Sequence, residues 1–287
     1  KIPAGKQINE NWGLEDLQSG WANNGDADYY YTGSIPGISD YAIKCSEDRN
    51  PFINESPVGA TSTYQCYGTI TLDKNEGTGS LNGEDANSRT ATVTCSFETL
   101  DVYGKCELPM TGITKKGAKL AGWSVNDKCM DNVSWEYVNG LTEKQLPLQL
   151  SACWESESIT CEPGYYFDYD NQKCAECMSP YYCPGGTFDM DDVNADGRAD
   201  CRIDAFPYYA KNIDASAVRS YRGAKAKTDC NVMLPAGKEI VSVDGQIADL
   251  RSGYYFGGGQ VQYTGDIPDF TEYATKCSDD LGMGFYE

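Results

Sequence analysis

The chain has 287 residues, a formal net charge of −20 and no histidine. Its length predicts two or three domains, and no apolar run reaches the roughly 18–20 residues of a membrane-spanning helix, so we expect no membrane insertion of this segment. An acidic surface repels nucleic-acid phosphates and attracts divalent cations, so we expect no nucleic-acid partner.

The composition also argues against catalysis. Without histidine the chain lacks the most common general base and the usual nitrogen ligand of zinc. It contains neither a Gly-x-Ser-x-Gly motif nor a phosphate-binding loop, so we expect no enzyme. A hydrolase that uses a pair of carboxylates is the alternative, because acidic residues are plentiful.

The two ends of the chain repeat each other. "IPAGKQI" near the start matches "LPAGKEI" near the end, and "YTGSIPGISDYAIKCSED" matches "YTGDIPDFTEYATKCSDD". Pro3 aligns with Pro235 and Cys45 with Cys277, so the two matches share an offset of 232 residues. This agreement predicts a long-period repeat, with a partial copy at 1–66 and the start of the next copy at 231–287. We therefore expect the chain to be an excerpt of a longer repetitive polypeptide.

Thirteen cysteines without histidine predict disulfides in an oxidising, extracellular compartment. A weaker echo links 45–66 with 201–230, since each begins at a cysteine and ends in Gly-Ala, five residues and a cysteine. We therefore pair Cys45–Cys66 and Cys201–Cys230. Cys277 corresponds to Cys45, so we expect its partner about twenty residues further along a longer chain; a free or intermolecular thiol is the alternative.

The pattern of 66–154 predicts short strands separated by turns. "GTITLDKN" and "TATVTCSF" are rich in β-branched residues, and "LPLQLSACW" alternates in polarity as half-buried strands do. In order and spacing, "ITLDKNEGTG", "LPMTGITKKG", "LAGW" and "LSACW" resemble the Listeria–Bacteroides repeat, also known as the B-repeat of internalins. The resemblance implies a small β-grasp-like module. The chain adds four cysteines to that pattern, which we pair locally as Cys95–Cys106 and Cys129–Cys153.

"LPMTG", at 108–112, is also the pentapeptide that sortases cut when they attach surface proteins to a bacterial cell wall. A sorting signal needs an apolar tail and a basic end after it, whereas "ITKKGAKLAGW" follows here. We therefore interpret the five residues as the Leu-Pro turn of the module, in which Pro109 sets the turn and Gly112 relaxes it.

"CEPGYYFDYDNQKCAECMSPYYCPGGTF", at 161–188, contains four cysteines in a segment too short to bury a core, so we expect disulfides to stabilise it. It resembles the Cys-rich modules of extracellular receptors and of large bacterial surface proteins. With its flanking residues it forms a predicted module at 155–230. Of three possible pairings we choose Cys161–Cys174 and Cys177–Cys183; a zinc site of four thiolates that includes Cys174 and Cys177 is the alternative.

The next stretch, "DMDDVNADGRADC", predicts a structural calcium site. Oxygen ligands at alternate positions converge on one hard cation, and a glycine permits the sharp turn. The pattern resembles the calcium loops of thrombospondin type 3 repeats and dockerins, although Ile203 stands where an EF-hand loop has glutamate. A plain Asp/Asn-rich turn is the alternative. The predicted ligands are the side chains of Asp192, Asn194, Asp196 and Asp200 and the backbone carbonyl of Arg198.

Together these patterns predict a mainly β fold, arranged as an elongated array of small, disulfide-stapled modules. We expect the protein to be extracellular, at a cell surface. We expect a structural or adhesive segment of a long repetitive surface or filament protein, whose partners are neighbouring copies of itself. The alternative is a calcium-dependent module of a surface adhesin that binds a glycan or a host receptor. Its candidate binding residues are aromatic side chains at matching places in the two repeat copies: Tyr29, Tyr30, Tyr31, Tyr254 and Tyr255. A core position shared by both copies would explain their recurrence equally well.

Overall fold

The computed structural model describes residues 1–23, 28–48, 50–126 and 128–280. The chain divides into two compact units, Lys1–Glu155 and Ser156–Glu287. Strands account for 36% of the residues and helices for 18%, so the prediction of a mainly β fold is confirmed. Within the described ranges, no helix is long and apolar enough to cross a bilayer.

The first unit consists of short strands with a few single-turn or two-turn helices. Its strands are β1 (Lys6–Ile8), β2 (Leu14–Asp16), β3 (Trp21–Asn23), β4 (Ala42–Lys44), β5 (Tyr67–Asp73), β6 (Thr78–Gly79), β7 (Thr90–Ser96), β8 (Lys105–Glu107), β9 (Ile113–Thr114), β10 (Ala118–Ser124), β11 (Asn132–Ser134) and β12 (Leu148–Ser156). Its α-helices are α1 (Cys45–Asp48), α2 (Phe97–Tyr103) and α3 (Trp135–Asn139), and 3₁₀ turns cover Ile38–Asp40, Thr63–Gln65 and Glu143–Gln145.

The largest sheet of the first unit has four strands in the order β10–β12–β5–β7. β5 pairs antiparallel with β7 and parallel with β12, where Ile70 lies opposite Leu148. Helix α2 follows β7 directly and begins at Ser96, whose hydroxyl accepts the backbone N–H of Thr99 at 3.0 Å. This bond satisfies one of the amide groups that the first turn of a helix leaves without a partner. Apolar residues of α2 lie in the same buried cluster as those of β5 and β12.

The core of the first unit crosses the predicted module boundary at residue 66. Phe52 and Ile53, from the predicted partial repeat, belong to the same buried cluster as Ile70 of β5. Phe52 packs on the backbone of Gly68, where a Cβ atom would collide with the phenyl ring, so only glycine permits this approach. Residue 66 therefore does not separate two cores, because a segment of this size buries too little apolar surface by itself.

The second unit has shorter strands. They are β13 (Ser158–Cys161), β14 (Tyr165–Asp168), β15 (Lys173–Glu176), β16 (Tyr181–Tyr182), β17 (Gly186–Asp189), β18 (Ala199–Asp200), β19 (Val218–Ser220), β20 (Cys230–Leu234), β21 (Lys238–Ile240), β22 (Ile247–Asp249), β23 (Tyr254–Tyr255), β24 (Gly259–Gln262) and β25 (Thr275–Lys276). Its α-helices are α4 (Cys201–Asp204), α5 (Pro207–Tyr209) and α6 (Cys277–Asp280). A π-helical turn covers Ala210–Asp214, and 3₁₀ turns cover Ala215–Ala217, Lys227–Asp229 and Phe270–Glu272.

β20 joins the two predicted segments of the second unit. It pairs with β19, on the side of the Cys-rich module, and with β24, in the repeat copy. Val232 of β20 lies opposite Val218 in one neighbour and Val261 in the other, and all three are buried in one cluster. The predicted boundary between 230 and 231 therefore falls inside one sheet, and the segments on its two sides share a core.

Six disulfides stabilise the two units, and each closes a loop within one of them. The structure joins the same pairs that the sequence analysis selects: Cys45–Cys66, Cys95–Cys106, Cys129–Cys153, Cys161–Cys174, Cys177–Cys183 and Cys201–Cys230. The paired Cα atoms are 5.6–5.9 Å apart, a spacing that a disulfide accommodates. In the described part of the chain, Cys277 alone is unbridged, and it is half-buried.

The two repeat copies adopt the same local structure. β1 and β2 form a hairpin that is closed by an ion pair between Lys6 and Asp16 (2.5 Å), and β21 and β22 form one closed by Lys238 and Asp249 (2.6 Å). In each hairpin the hydroxyl of a tyrosine from a distant turn accepts one backbone N–H, a contact that we call the tyrosine clamp. The hydroxyl of Tyr41 accepts the backbone N–H of Ile8 at 3.4 Å, and that of Tyr273 accepts the N–H of Ile240 at 3.1 Å.

Candidate functional site

The turn between β1 and β2 is held closed by one side chain. Asn9 Oδ1 accepts the backbone N–H groups of Asn11 at 3.1 Å and Gly13 at 2.9 Å. The N–H of Trp12 donates to the carbonyl of Asn9 at 3.0 Å. Within this turn Trp12 has a φ of +62°, in the left-handed region that is unfavourable for a bulky side chain.

Trp12 and one of the predicted tyrosines form an exposed aromatic surface. The Trp12 side chain is 55% exposed, and its ring stacks on that of Tyr31 with 6.2 Å between centroids and 28° between planes. Tyr30, the next residue in the chain, is 72% exposed. Tyr29 instead packs against Tyr41 at 5.5 Å beside a small buried cluster, so it contributes to the core. We call the stacked pair the Trp12–Tyr31 surface.

The second repeat copy has no equivalent of this surface among its described residues. Gly245, whose N–H donates to the carbonyl of Ser242 at 3.0 Å and whose φ is +85°, occupies the place in the second hairpin turn that Trp12 occupies in the first. Tyr263, which aligns with Tyr31, is only 3% exposed, packs edge-on against Phe206 at 5.5 Å and donates its hydroxyl to the carbonyl of Gly265.

The other two predicted aromatics of the second copy lie on β23. Tyr254 packs edge-on against Phe270 with 4.7 Å between centroids, so it also contributes to packing. Tyr255 is 46% exposed. Of the five predicted binding aromatics, Tyr30 and Tyr255 are therefore exposed, and Tyr31 packs against the exposed Trp12. Trp12 was not predicted from the sequence, because the second copy has no aromatic residue at this place. The available signal was an aromatic residue between Asn11 and Gly13 in a tight turn.

The predicted calcium ligands occupy a chain of tight turns. Asp192 Oδ1 accepts the backbone N–H of Asn194 at 2.8 Å, and Asp196 Oδ1 accepts that of Arg198 at 2.8 Å. The other oxygen of Asp196 accepts Nε of Arg198 at 2.7 Å. Both oxygens of Asp200 accept hydrogen bonds from the guanidinium of Arg202.

These ion pairs determine the electrostatics of the loop. Partial burial alone would raise the pKa of Asp200, but hydrogen bonds from the Arg202 guanidinium and backbone N–H outweigh that effect, and the pKa lies below its usual range. The Arg198 guanidinium lies 4.8 Å from the ring centroid of Tyr166 and 5.2 Å from that of Tyr181. In the described ranges no three acidic or cysteine side chains are placed to share a metal ion. Asp196 and Asp200 are thus paired with arginine side chains, and calcium binding stays a prediction.

The cysteines of the Cys-rich module are joined in disulfides. Cys174 is bonded to Cys161, and Cys177 to Cys183. The two sulfur atoms that the zinc alternative needs as thiolates are therefore engaged elsewhere.

A buried lysine organises the turn that follows β5. Lys74 is 1% exposed, and its ammonium is hydrogen-bonded only to backbone oxygens among the contacts described. The acceptors are the carbonyls of Gly79 (2.5 Å), Ala86 (3.2 Å) and Asp85 (3.3 Å). The turn borders an open cleft of about 610 Å³ that is lined mainly by small and polar residues.

Two further contacts fix this turn against the sheet. Trp154 of β12 donates its indole N–H to the carbonyl of Asn75 at 2.9 Å. The side-chain amide of Asn75 donates in turn to the carbonyl of Ala152. The carboxylate of Asp73 accepts a hydrogen bond from Arg89 at 2.9 Å, and this bond holds the pKa of Asp73 below its usual range. Hydrogen bonds from side chains therefore hold the backbone that borders the cleft against the sheet.

"LPMTG" forms a packed turn of the first unit. Leu108 is buried, and the carbonyl of Pro109 accepts the indole N–H of the buried Trp123 at 2.8 Å. Gly112 has a φ of +100°, and a Cβ atom there would collide with the carbonyl of Ser80. The five residues thus serve the fold, as the interpretation as a turn predicts.

Comparisons with protein-family models, with curated proteins and with solved structures found no match to this chain. The resemblances to surface-protein repeats therefore rest on the motifs alone.

Proposed function

We propose that the chain is a structural or adhesive segment of a long repetitive extracellular protein that forms part of a cell surface or filament. The observation that carries the proposal is the pair of repeat copies, which build the same hairpin with the same Lys–Asp ion pair and the same tyrosine clamp. Repeats in one chain stabilise one another through neighbouring interfaces, and such chains form stalks and fibres.

The disulfides support an extracellular location. Six bridges form within a chain of this length, and such bridges persist in oxidising compartments and are rare where thiols are kept reduced. The net charge of −20 favours solubility of a protein displayed at high density.

We infer in addition that residues 66–154 form a β-grasp-like module. The sheet order β10–β12–β5–β7, with a parallel central pair and a helix directly after β7, supports this inference. Its core includes residues from before position 66, so the module is stabilised by the repeat copy that precedes it. The elongated arrangement of modules stays a prediction, which small-angle X-ray scattering of the chain would test.

The test of the structural role uses native material. Antibodies raised against residues 1–155 should label surface fibres at regular intervals in immunogold electron microscopy. The native polypeptide, isolated under reducing conditions, should contain several units of the 232-residue period. An intracellular protein with reduced thiols, or a native chain shorter than two such units, would overturn the proposal.

The alternative, a calcium-dependent module that binds a glycan or a receptor, stays a prediction as a whole. The observation that favours its adhesive part is the exposed Trp12–Tyr31 surface, which does not involve the loop at 192–200.

A further inference from the structure

We propose that the Trp12–Tyr31 surface binds a neutral saccharide, whose pyranose ring stacks on the exposed face of the Trp12 indole. This site is independent of the proposed structural role and of calcium. Three features support this site: the difference between the two repeat copies, the turn that presents the indole, and the charge and polarity around it.

The internal comparison shows that the repeat does not need a tryptophan in this turn. The second copy closes the corresponding hairpin, with the same Lys–Asp pair and tyrosine clamp, around Gly245. Its equivalent of Tyr31 is the buried Tyr263. In the first copy the same tyrosine position supports an exposed ring instead.

The turn presents Trp12 in a fixed orientation. The bonds that Asn9 makes to Asn11 and Gly13 set the backbone, and the Tyr31 ring lies against one side of the indole. A preorganised ring loses little conformational entropy when a ligand stacks on it. The left-handed φ of Trp12 is a cost that the second copy avoids, because Gly245, with a φ of +85° at this place, adopts the region without a steric penalty.

Charge and polarity select the class of ligand. The net charge of −20 disfavours nucleotides and other phosphate-bearing rings. Glu10 and Asn11, which precede Trp12 in the turn, are exposed, and together they can accept and donate hydrogen bonds to hydroxyl groups. An apolar ring face edged by hydroxyls, which is what a neutral pyranose offers, matches an aromatic surface with this polar border.

The test measures binding of cellohexaose, maltohexaose and chitohexaose to the oxidised chain by isothermal titration calorimetry. In parallel, N-bromosuccinimide oxidation followed by peptide mass spectrometry reports the accessibility of Trp12. We expect at least one hexasaccharide to bind and to protect Trp12 from oxidation. Trp12→Asp, which removes the ring and introduces a residue that tolerates a left-handed φ, should weaken binding about tenfold or more, since a ring stacked on an aromatic side chain contributes ~1–3 kcal/mol and 1.4 kcal/mol is tenfold.

The matched control is Tyr103→Ala, which removes an aromatic side chain of comparable exposure at the end of α2 and should leave saccharide affinity unchanged. Circular dichroism and a free-thiol assay verify that each variant keeps its fold and disulfides. Three results would overturn the proposal: no binding by any of the three hexasaccharides, undiminished binding by a folded Trp12→Asp variant, or salt-sensitive binding of a hexa-arginine peptide at Trp12 without saccharide binding. None of these results bears on whether the chain belongs to a repetitive surface protein.

Discussion

Replacing Lys74 with methionine tests whether the buried ammonium stabilises the turn after β5. Methionine keeps most of the aliphatic stem and removes the group that contacts three carbonyl oxygens. A hydrogen bond to a charged group contributes ~1.5–3 kcal/mol, and a buried acceptor left without a partner costs ~1–3 kcal/mol. One of the three contacts is short at 2.5 Å, whereas the other two are 3.2 Å and 3.3 Å long and contribute less.

These terms give an expected destabilisation of about 2–4 kcal/mol for Lys74→Met. For a unit of this size that loss lowers Tm by roughly 4–16 °C. Guanidinium unfolding of the oxidised protein, followed by tryptophan fluorescence, measures it, because Trp154 contacts this turn. Lys115→Met is the control, since its ion pair with Glu76 lies at the surface and contributes about 0–1 kcal/mol. A Lys74→Met variant as stable as the control would refute the reasoning.

Three further outcomes are expected. Trp12→Asp should change the stability of the first unit by less than about 1 kcal/mol, because relief of a φ of +62° that suits tryptophan poorly offsets the lost contact with Tyr31, and a much lower Tm in the variant would count against that account. The lowered pKa of Asp73 contributes stability that is fully present above the unfolded-state pKa of about 4 and is lost as the pH falls through the lower folded-state value. In a series of Tm values measured against pH, the Tm of Asp73→Asn should therefore fall less steeply at acid pH than that of the unmodified chain. Equal slopes for the two proteins would contradict this account. Calcium chloride should raise the Tm of the second unit if the loop at 192–200 rearranges to bind the ion. The increase should vanish when EGTA is added and in the Asp192→Asn variant. An unchanged Tm would favour the alternative that the loop is a plain Asp/Asn-rich turn.

The repeat made the disulfide pairing accessible from the sequence. A cysteine that begins one segment and a cysteine that ends it recur at 45–66 and 201–230, and the structure joins both pairs. The remaining bridges close short loops within one module. In each of them the structure joins cysteines that are neighbours in the order of cysteines along the chain. Spacing alone left three pairings open at 161–183, because all of its cysteines lie close together in the sequence.

Module boundaries were harder to predict, since composition does not show whether two segments share a core. The contact between Phe52 and Gly68 crosses residue 66, yet neither residue is unusual in its own stretch. The five predicted calcium ligands illustrate a second limit. Their spacing is visible in the sequence. The guanidinium of Arg198, which the predicted site uses only through its backbone carbonyl, and that of Arg202, which follows the site, become relevant only once the turns bring them to Asp196 and Asp200.

The position of β20 determines how the second unit would respond to tension. A strand hydrogen-bonded on both sides, with the Cys-rich module along one edge and the repeat copy along the other, leaves no slack tether between them. Tension applied along the chain would have to rupture the sheet before this joint could lengthen. Even then the bridge between Cys201 and Cys230, 29 positions apart, would keep the intervening loop from unravelling, so extension would proceed in short, bounded steps.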